Sequence, residues 1–172
     1  GDGNTQRLGH LGVDRVEAGA AHEDVLDAQA SKNLHGHGVD VGVAPTFVGL
    51  QAVIENASKD LIVAAQNVHE KDHGAYTGEI SIPMLQDLGV SWVILGHSER
   101  RGYYAETSEK CNLKMKALLA VGMVPVYCCG ESLETFEKGE TKKLVEEQIR
   151  VGFDGIPAEE AKKVVVAYEP IW

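Results

Sequence analysis

From residue 39 onward, short apolar runs and amphipathic stretches take turns along the chain. Apolar runs at Val39–Ala44, Leu61–Gln66, Trp92–Gly96, Met123–Cys128 and Lys163–Tyr168 predict five strands. Helical periods lie between them. The clearest run over Ser108–Val121, with Leu113, Met115, Leu118 and Leu119 on one side, and over Thr141–Val151, with Leu144, Val145 and Ile149. Buried strands separated by helices predict βαβ units and a parallel sheet. Residues 1–37 break this rhythm. They hold four of the seven histidines and show neither period, so they are read as an atypical N-terminal segment of a single domain spanning 1–172.

The spacing of the strands narrows the architecture. From Val39 to Lys163 is 124 residues over four steps, or 31 per βα unit. Eight such units need about 250 residues, the usual size of a (β/α)8 barrel. A chain of 172 residues has room for five or six, so it is either an open doubly wound sheet or part of a barrel. The strand ends favour the barrel. They read Gln66-Asn67, Gly96-His97-Ser98-Glu99, Cys128 before Gly130-Glu131, and Glu169. Four successive strands thus end in polar or acid–base groups, whereas an open sheet gathers such residues around its switch point.

Composition removes several classes of function. A net charge of −10, with Arg100-Arg101 and Lys142-Lys143 as isolated basic pairs, predicts no nucleic-acid partner. The longest largely apolar run, Ala117 to Cys129, is interrupted by Gly122 and Pro125 and is too short to span a bilayer, so no membrane partner is expected. Three cysteines, two of them adjacent, make no disulfide framework. Together with the absence of an apolar leader, they predict a reducing, cytoplasmic location.

Two strand-end groups are the candidates for chemistry. His97 stands where a strand ends and a short helix can begin, with Ser98 and Glu99 suited to its first turn. A helix N-terminus favours the neutral imidazole, which can donate a hydrogen bond. Glu169 precedes Pro170, which cannot donate to a sheet ladder, so the strand stops there and leaves a carboxylate at its tip as a candidate general base. Other constellations compete. "HEKDH" (His69–His73) fits the zinc-hydrolase string, but Gly74 follows at once and no apolar helical period surrounds it. His35 and His37 have no partner ligands, so no metal is predicted. Glu131 and Glu169 are a possible glycosidase pair, against a loop-tying role for the Glu of "CCGE". No phosphate-cradling glycine motif for a nucleotide occurs, and no cofactor is predicted.

Three segments then carry a family resemblance: "AAQNVHEKDHGAYTGEISIPMLQDLGVSWVILGHSERR" (Ala64–Arg101), "PVYCCGESLETFEKG" (Pro125–Gly139) and "VVVAYEPIW" (Val164–Trp172), with "VAPTFVGL" (Val43–Leu50) a looser match. Over residues 39–172 the chain resembles the triosephosphate isomerases, whose GHSERR and AYEPIW strings stand here with 72 residues between histidine and glutamate. The resemblance implies a TIM barrel, present as about five βα units. It implies an isomerase of glycolysis and gluconeogenesis that interconverts dihydroxyacetone phosphate and glyceraldehyde 3-phosphate through an enediolate. His97 would then polarise the carbonyl and Glu169 would shuttle the proton. Glu99 would lie beside the site, and Cys128 would pack near the base. Thr77, in the loop that in the family enters a neighbouring subunit, would imply a homodimer.

The departures from the family shape the remaining expectations. The family opens with a strand ending in Asn-Trp-Lys, whose lysine helps hold the anionic substrate. Here Gly3-Asn4 is followed by Thr5-Gln6, so Asn4 is the candidate position and the lysine has no counterpart; Lys32 is the one lysine nearby. The family chain also continues past AYEPIW into a hinged lid and two Gly-rich phosphate-binding loops. A working protein about 70–80 residues longer is therefore expected, to complete a barrel of about 250 residues. The 172 residues alone are expected to lack useful isomerase activity. A non-catalytic fragment or assembly module of the same fold, and a zinc hydrolase built on His69 and His73, are the competing readings.

Overall fold

The computed structural model describes residues 40–172. The segment 1–37, and with it Asn4, His35 and His37, lies outside the described residues. Five strands follow, each within two residues of a predicted run: β1 (Val41–Val43), β2 (Leu61–Ala65), β3 (Trp92–Leu95), β4 (Val124–Cys129) and β5 (Val165–Tyr168). Every pairing is parallel and the order across the sheet is β1-β2-β3-β4-β5. A doubly wound sheet would reverse its order at a switch point. An order that follows the sequence throughout is that of a barrel wall.

The two faces of the sheet confirm this. Val93 and Leu95 of β3 and Tyr127 of β4 point outward. They share a core with Leu50 of α1 (Leu50–Asn56), Leu85 of α2 (Ile82–Asp87) and Met115 and Leu118 of α3 (Ser108–Ala120). Burying a side chain of this size contributes about 1.5–3 kcal/mol. The residues between them, Ile94, Val126 and Cys128, form a smaller cluster on the opposite face. Ala44, beside β1, and Ala167 of β5 both pack against that inner cluster. Among the described residues the helices cover one face only, and the sheet curls into a half-barrel.

The helix starts follow local chemistry. Thr107 caps α3, its hydroxyl accepting the Lys110 N–H at 3.3 Å. Pro83 occupies the first turn of α2, where its missing N–H costs nothing. Between β4 and β5 the chain forms α4 (Leu133–Glu137), capped by Ser132, then α5 (Thr141–Gly152) and the short α6 (Ala158–Ala161). One predicted face needs correction. Leu113 of α3 is 52% exposed, while Lys114 is buried. The lysine turns inward because two acceptors wait for its ammonium group, and the helix rotates Leu113 to the surface.

Candidate active site at the strand ends

His97 leaves the end of β3 as the N-cap of a short helix (Ser98–Tyr103), which begins where the sequence places it. Its Nδ1 accepts the backbone N–H of Glu99 at 3.3 Å. That hydrogen bond assigns the neutral tautomer with its proton on Nε2. The Nε2 atom is buried and has no hydrogen-bond partner among the described residues. It faces the carboxylate of Glu169, with Oε2 at 3.6 Å. This is too long for a hydrogen bond and short enough for both groups to reach one small molecule.

Glu169 follows β5 directly, and its N–H donates to the Cys129 carbonyl at 2.8 Å. Its side chain is half exposed, and no hydrogen bond among the described residues holds the carboxylate. Glu99 comes to the other side of the imidazole, its Oε2 3.6 Å from Nδ1, with most of its side chain in solvent. It touches His97 but not Glu169. Cys128 lies on the inner face below the pair. Burial first, then the neighbouring Glu169 charge, pushes its thiol up to about 12. It is therefore a neutral packing group at ordinary pH, not a nucleophile.

Burial also pushes the Cys111 thiol up to about 12. A thiol raised in the folded state stays protonated there while the unfolded chain ionises near 8.5. The stability these thiols contribute is complete below about 8.5 and is lost as pH rises towards about 12. Denaturant midpoints measured across that range are expected to fall, and the fall should shrink in Cys111→Ala. An equal slope in the variant would refute the account.

The remaining sequence candidates separate cleanly. Thr77 stands in an exposed loop, residues 71–79. His69 stacks on Tyr76 with ring centres 4.2 Å apart, while His73 is 90% exposed. The segment between them is not helical, so the two imidazoles do not share a helix face. Among the described residues no cluster of three potential ligands could hold a metal ion. Glu131 is fully buried. It accepts the Tyr168 hydroxyl at 3.0 Å and the Trp172 indole N–H at 3.3 Å, and its carbonyl accepts the Ile171 N–H at 3.0 Å. It ties the chain after β5 to the loop after β4, as a loop-tying glutamate should.

Sequence reasoning missed a buried polar network beneath His97. The Glu106 carboxylate accepts the Gly96 N–H at 3.1 Å and pairs with the ammonium of Lys114, which also donates to Asn67 Oδ1 at 2.8 Å. Ala105 adopts φ +51°, a left-handed turn that costs an L-residue about 1–2 kcal/mol. That turn directs Glu106 inward. Arg101 adds a second brace, Nε donating to the Gly96 carbonyl at 2.7 Å and a terminal nitrogen to the Cys128 carbonyl at 3.0 Å. Gly96 itself has φ +70°, and a Cβ there would lie 3.1 Å from the Cys128 carbonyl. The residue before His97 is thus fixed at both of its backbone polar groups. The one sequence signal for this was the Asn67 strand end.

A parallel half-barrel with an imidazole and a carboxylate facing each other at its carboxyl ends defines a protein of the β/α-barrel class. The family model described as triosephosphate isomerase matches residues 16–172. A protein of Carboxydothermus hydrogenoformans named triosephosphate isomerase is 45% identical over 158 residues, covering 91% of this chain and 61% of the relative. Proteins of the same name are similar at 52% over 135 residues in Clostridium acetobutylicum and at 50% over 134 residues in Clostridium botulinum, each covering 77% of this chain and 54% of the relative. The chain belongs to the triosephosphate isomerase family. It spans 54–61% of the length of these curated relatives. The family match starts at residue 16, so the likeness reaches into the N-terminal segment where no motif announced it. No helix among the described residues is long and apolar enough to cross a membrane.

Proposed function

We propose that the complete protein interconverts dihydroxyacetone phosphate and glyceraldehyde 3-phosphate by proton transfer through an enediolate, a step of glycolysis and gluconeogenesis. The approach of His97 Nε2 to the Glu169 carboxylate at 3.6 Å carries this assignment, and membership of the family supports it. Glu169 removes a proton from the carbon beside the carbonyl. The electron pair moves to the carbonyl oxygen, where the Nε2 proton of His97 stabilises the developing charge. The same carboxylic acid then returns the proton to the adjacent carbon, while the hydroxyl proton passes to the former carbonyl oxygen, so that the two oxygens exchange roles. No redox change occurs and no cofactor is required. Incubation with either triose phosphate in D2O is expected to leave deuterium on the hydroxyl-bearing carbon that takes up the proton, C2 of glyceraldehyde 3-phosphate or C1 of dihydroxyacetone phosphate. Turnover without such exchange would refute the enediolate route.

His97→Gln keeps a polar side chain but moves the donor, so its effect should fall on kcat. A fall of about 10²-fold or more, with KM close to normal, is expected, because this hydrogen bond strengthens only as charge develops. A loss confined to KM would show ground-state binding alone.

The working form is a homodimer in the cytoplasm, and Thr77 sits at the contact. The exposed 71–79 loop projects from the barrel wall and packs against little of its own chain. Thr77→Arg is expected to shift the complete protein towards monomer in sedimentation. A dimer of undiminished strength would place the interface elsewhere.

A further inference from the structure

Gln148 lies on α5 within the charged string Glu146-Glu147-Gln148, and nothing in that string marks it. Its side chain is half-buried and reaches across to the loop after β4. There its Oε1 accepts the Gly130 N–H at 2.9 Å and its Nε2 donates to the Gly130 carbonyl at 3.2 Å. One planar carboxamide thus satisfies both backbone polar groups of one residue. Its own carbonyl accepts the Tyr127 hydroxyl at 2.7 Å, which fixes α5 against β4 at this level.

The backbone of Glu169 also passes close to Gly130. A Cβ on Gly130 would lie 1.8 Å from the Glu169 carbonyl oxygen, so the two chains are in direct contact. Glu169 donates its N–H to the preceding residue, Cys129. No hydrogen bond among the described residues holds the Glu169 carboxylate, so its place depends on its backbone, which rests against both Cys129 and Gly130.

Resting on the assignment of Glu169 as base, we propose that Gln148 is a positioning residue for it. By clamping Gly130 at both N–H and C=O, it holds the surface against which the Glu169 backbone rests. A carboxamide supplies one donor and one acceptor in a single plane. A carboxylate supplies acceptors only, and a thioether supplies neither.

The test is a double-mutant cycle in the complete protein, with kcat, KM and the urea midpoint measured for each variant. Gln148→Met keeps the volume and removes both hydrogen bonds. It is expected to lower kcat by about 10-fold to 100-fold, the scale of a small misplacement of a reacting group, with KM little changed. Gln148→Glu keeps the acceptor for the Gly130 N–H and should lose less; it carries the comparison alone if Gln148→Met does not fold. With Glu169→Gln already present, neither change should reduce the residual rate further. An equal fall in both backgrounds, a loss confined to KM, or a loss matched by the unfolded fraction would overturn the proposal. If Glu169→Gln by itself leaves turnover intact, the base assignment fails, and the role of Gln148 fails with it.

Discussion

Glu169→Gln in the complete protein lowers kcat by about 10²–10⁴-fold, the usual scale for removing a positioned general base, and leaves the fold intact. The amide has almost the same shape but cannot take the proton. Structural side effects should be small, because the side chain is half exposed and no hydrogen bond among the described residues holds its carboxylate, which lies 3.6 Å from His97 Nε2. Substitutions at such positions usually change stability by less than about 0.5 kcal/mol. Turnover and the urea midpoint measured on the same preparation separate the two effects. A variant that turns over normally, or one whose loss follows its unfolded fraction, would remove Glu169 from the chemistry.

Lys114→Met should have the largest effect on stability. The lysine is buried between Glu106 and Asn67, and Glu106 is buried too. Removing one partner of a buried ion pair leaves the other charge without compensation, which typically costs about 3–5 kcal/mol. The lower end is expected here, because Arg100 Nε lies 3.4 Å from Glu106 and retains part of the compensation. The urea midpoint reports the loss. The double variant Lys114→Met with Glu106→Gln should recover part of it, since no buried charge then stands alone. A single variant of unchanged midpoint, or a double variant worse than the sum of the singles, would refute this account.

How far the structure was legible in the sequence depended on which partner each residue sought. Strands were readable because Val, Ile and Leu in short runs have no other way to bury themselves. His97 and Glu169 stood out because each is a polar residue at the end of such a run. Lys114 did not, because a buried lysine breaks the apolar stripe and is indistinguishable from a solvated one until its acceptors, 47 and 8 residues away, are located. Leu113 misled for the same reason in reverse. Gln148 was invisible: its partner is the backbone of a glycine 18 residues off, and main-chain acceptors leave no trace in composition. The loop 67–79 was legible through its glycines and polar residues.

The sheet order has a consequence for how the molecule is made. Each strand pairs with the one synthesised just before it: Val41 meets Leu61, Trp92 meets Val124, and Val126 meets Val165. None of these partners is more than about 40 residues apart, so each closure spans a modest length of chain. Docking can proceed in the order in which the ribosome delivers the units. Of the two facing groups, His97 arrives with β3 and Glu169 only after β5. A nascent chain that reaches the end of β4 already holds the imidazole, its cap and the Glu106–Lys114 pair beneath it. It holds no carboxylate opposite. The imidazole is therefore in place, on a braced support, throughout the interval of synthesis in which its partner does not yet exist.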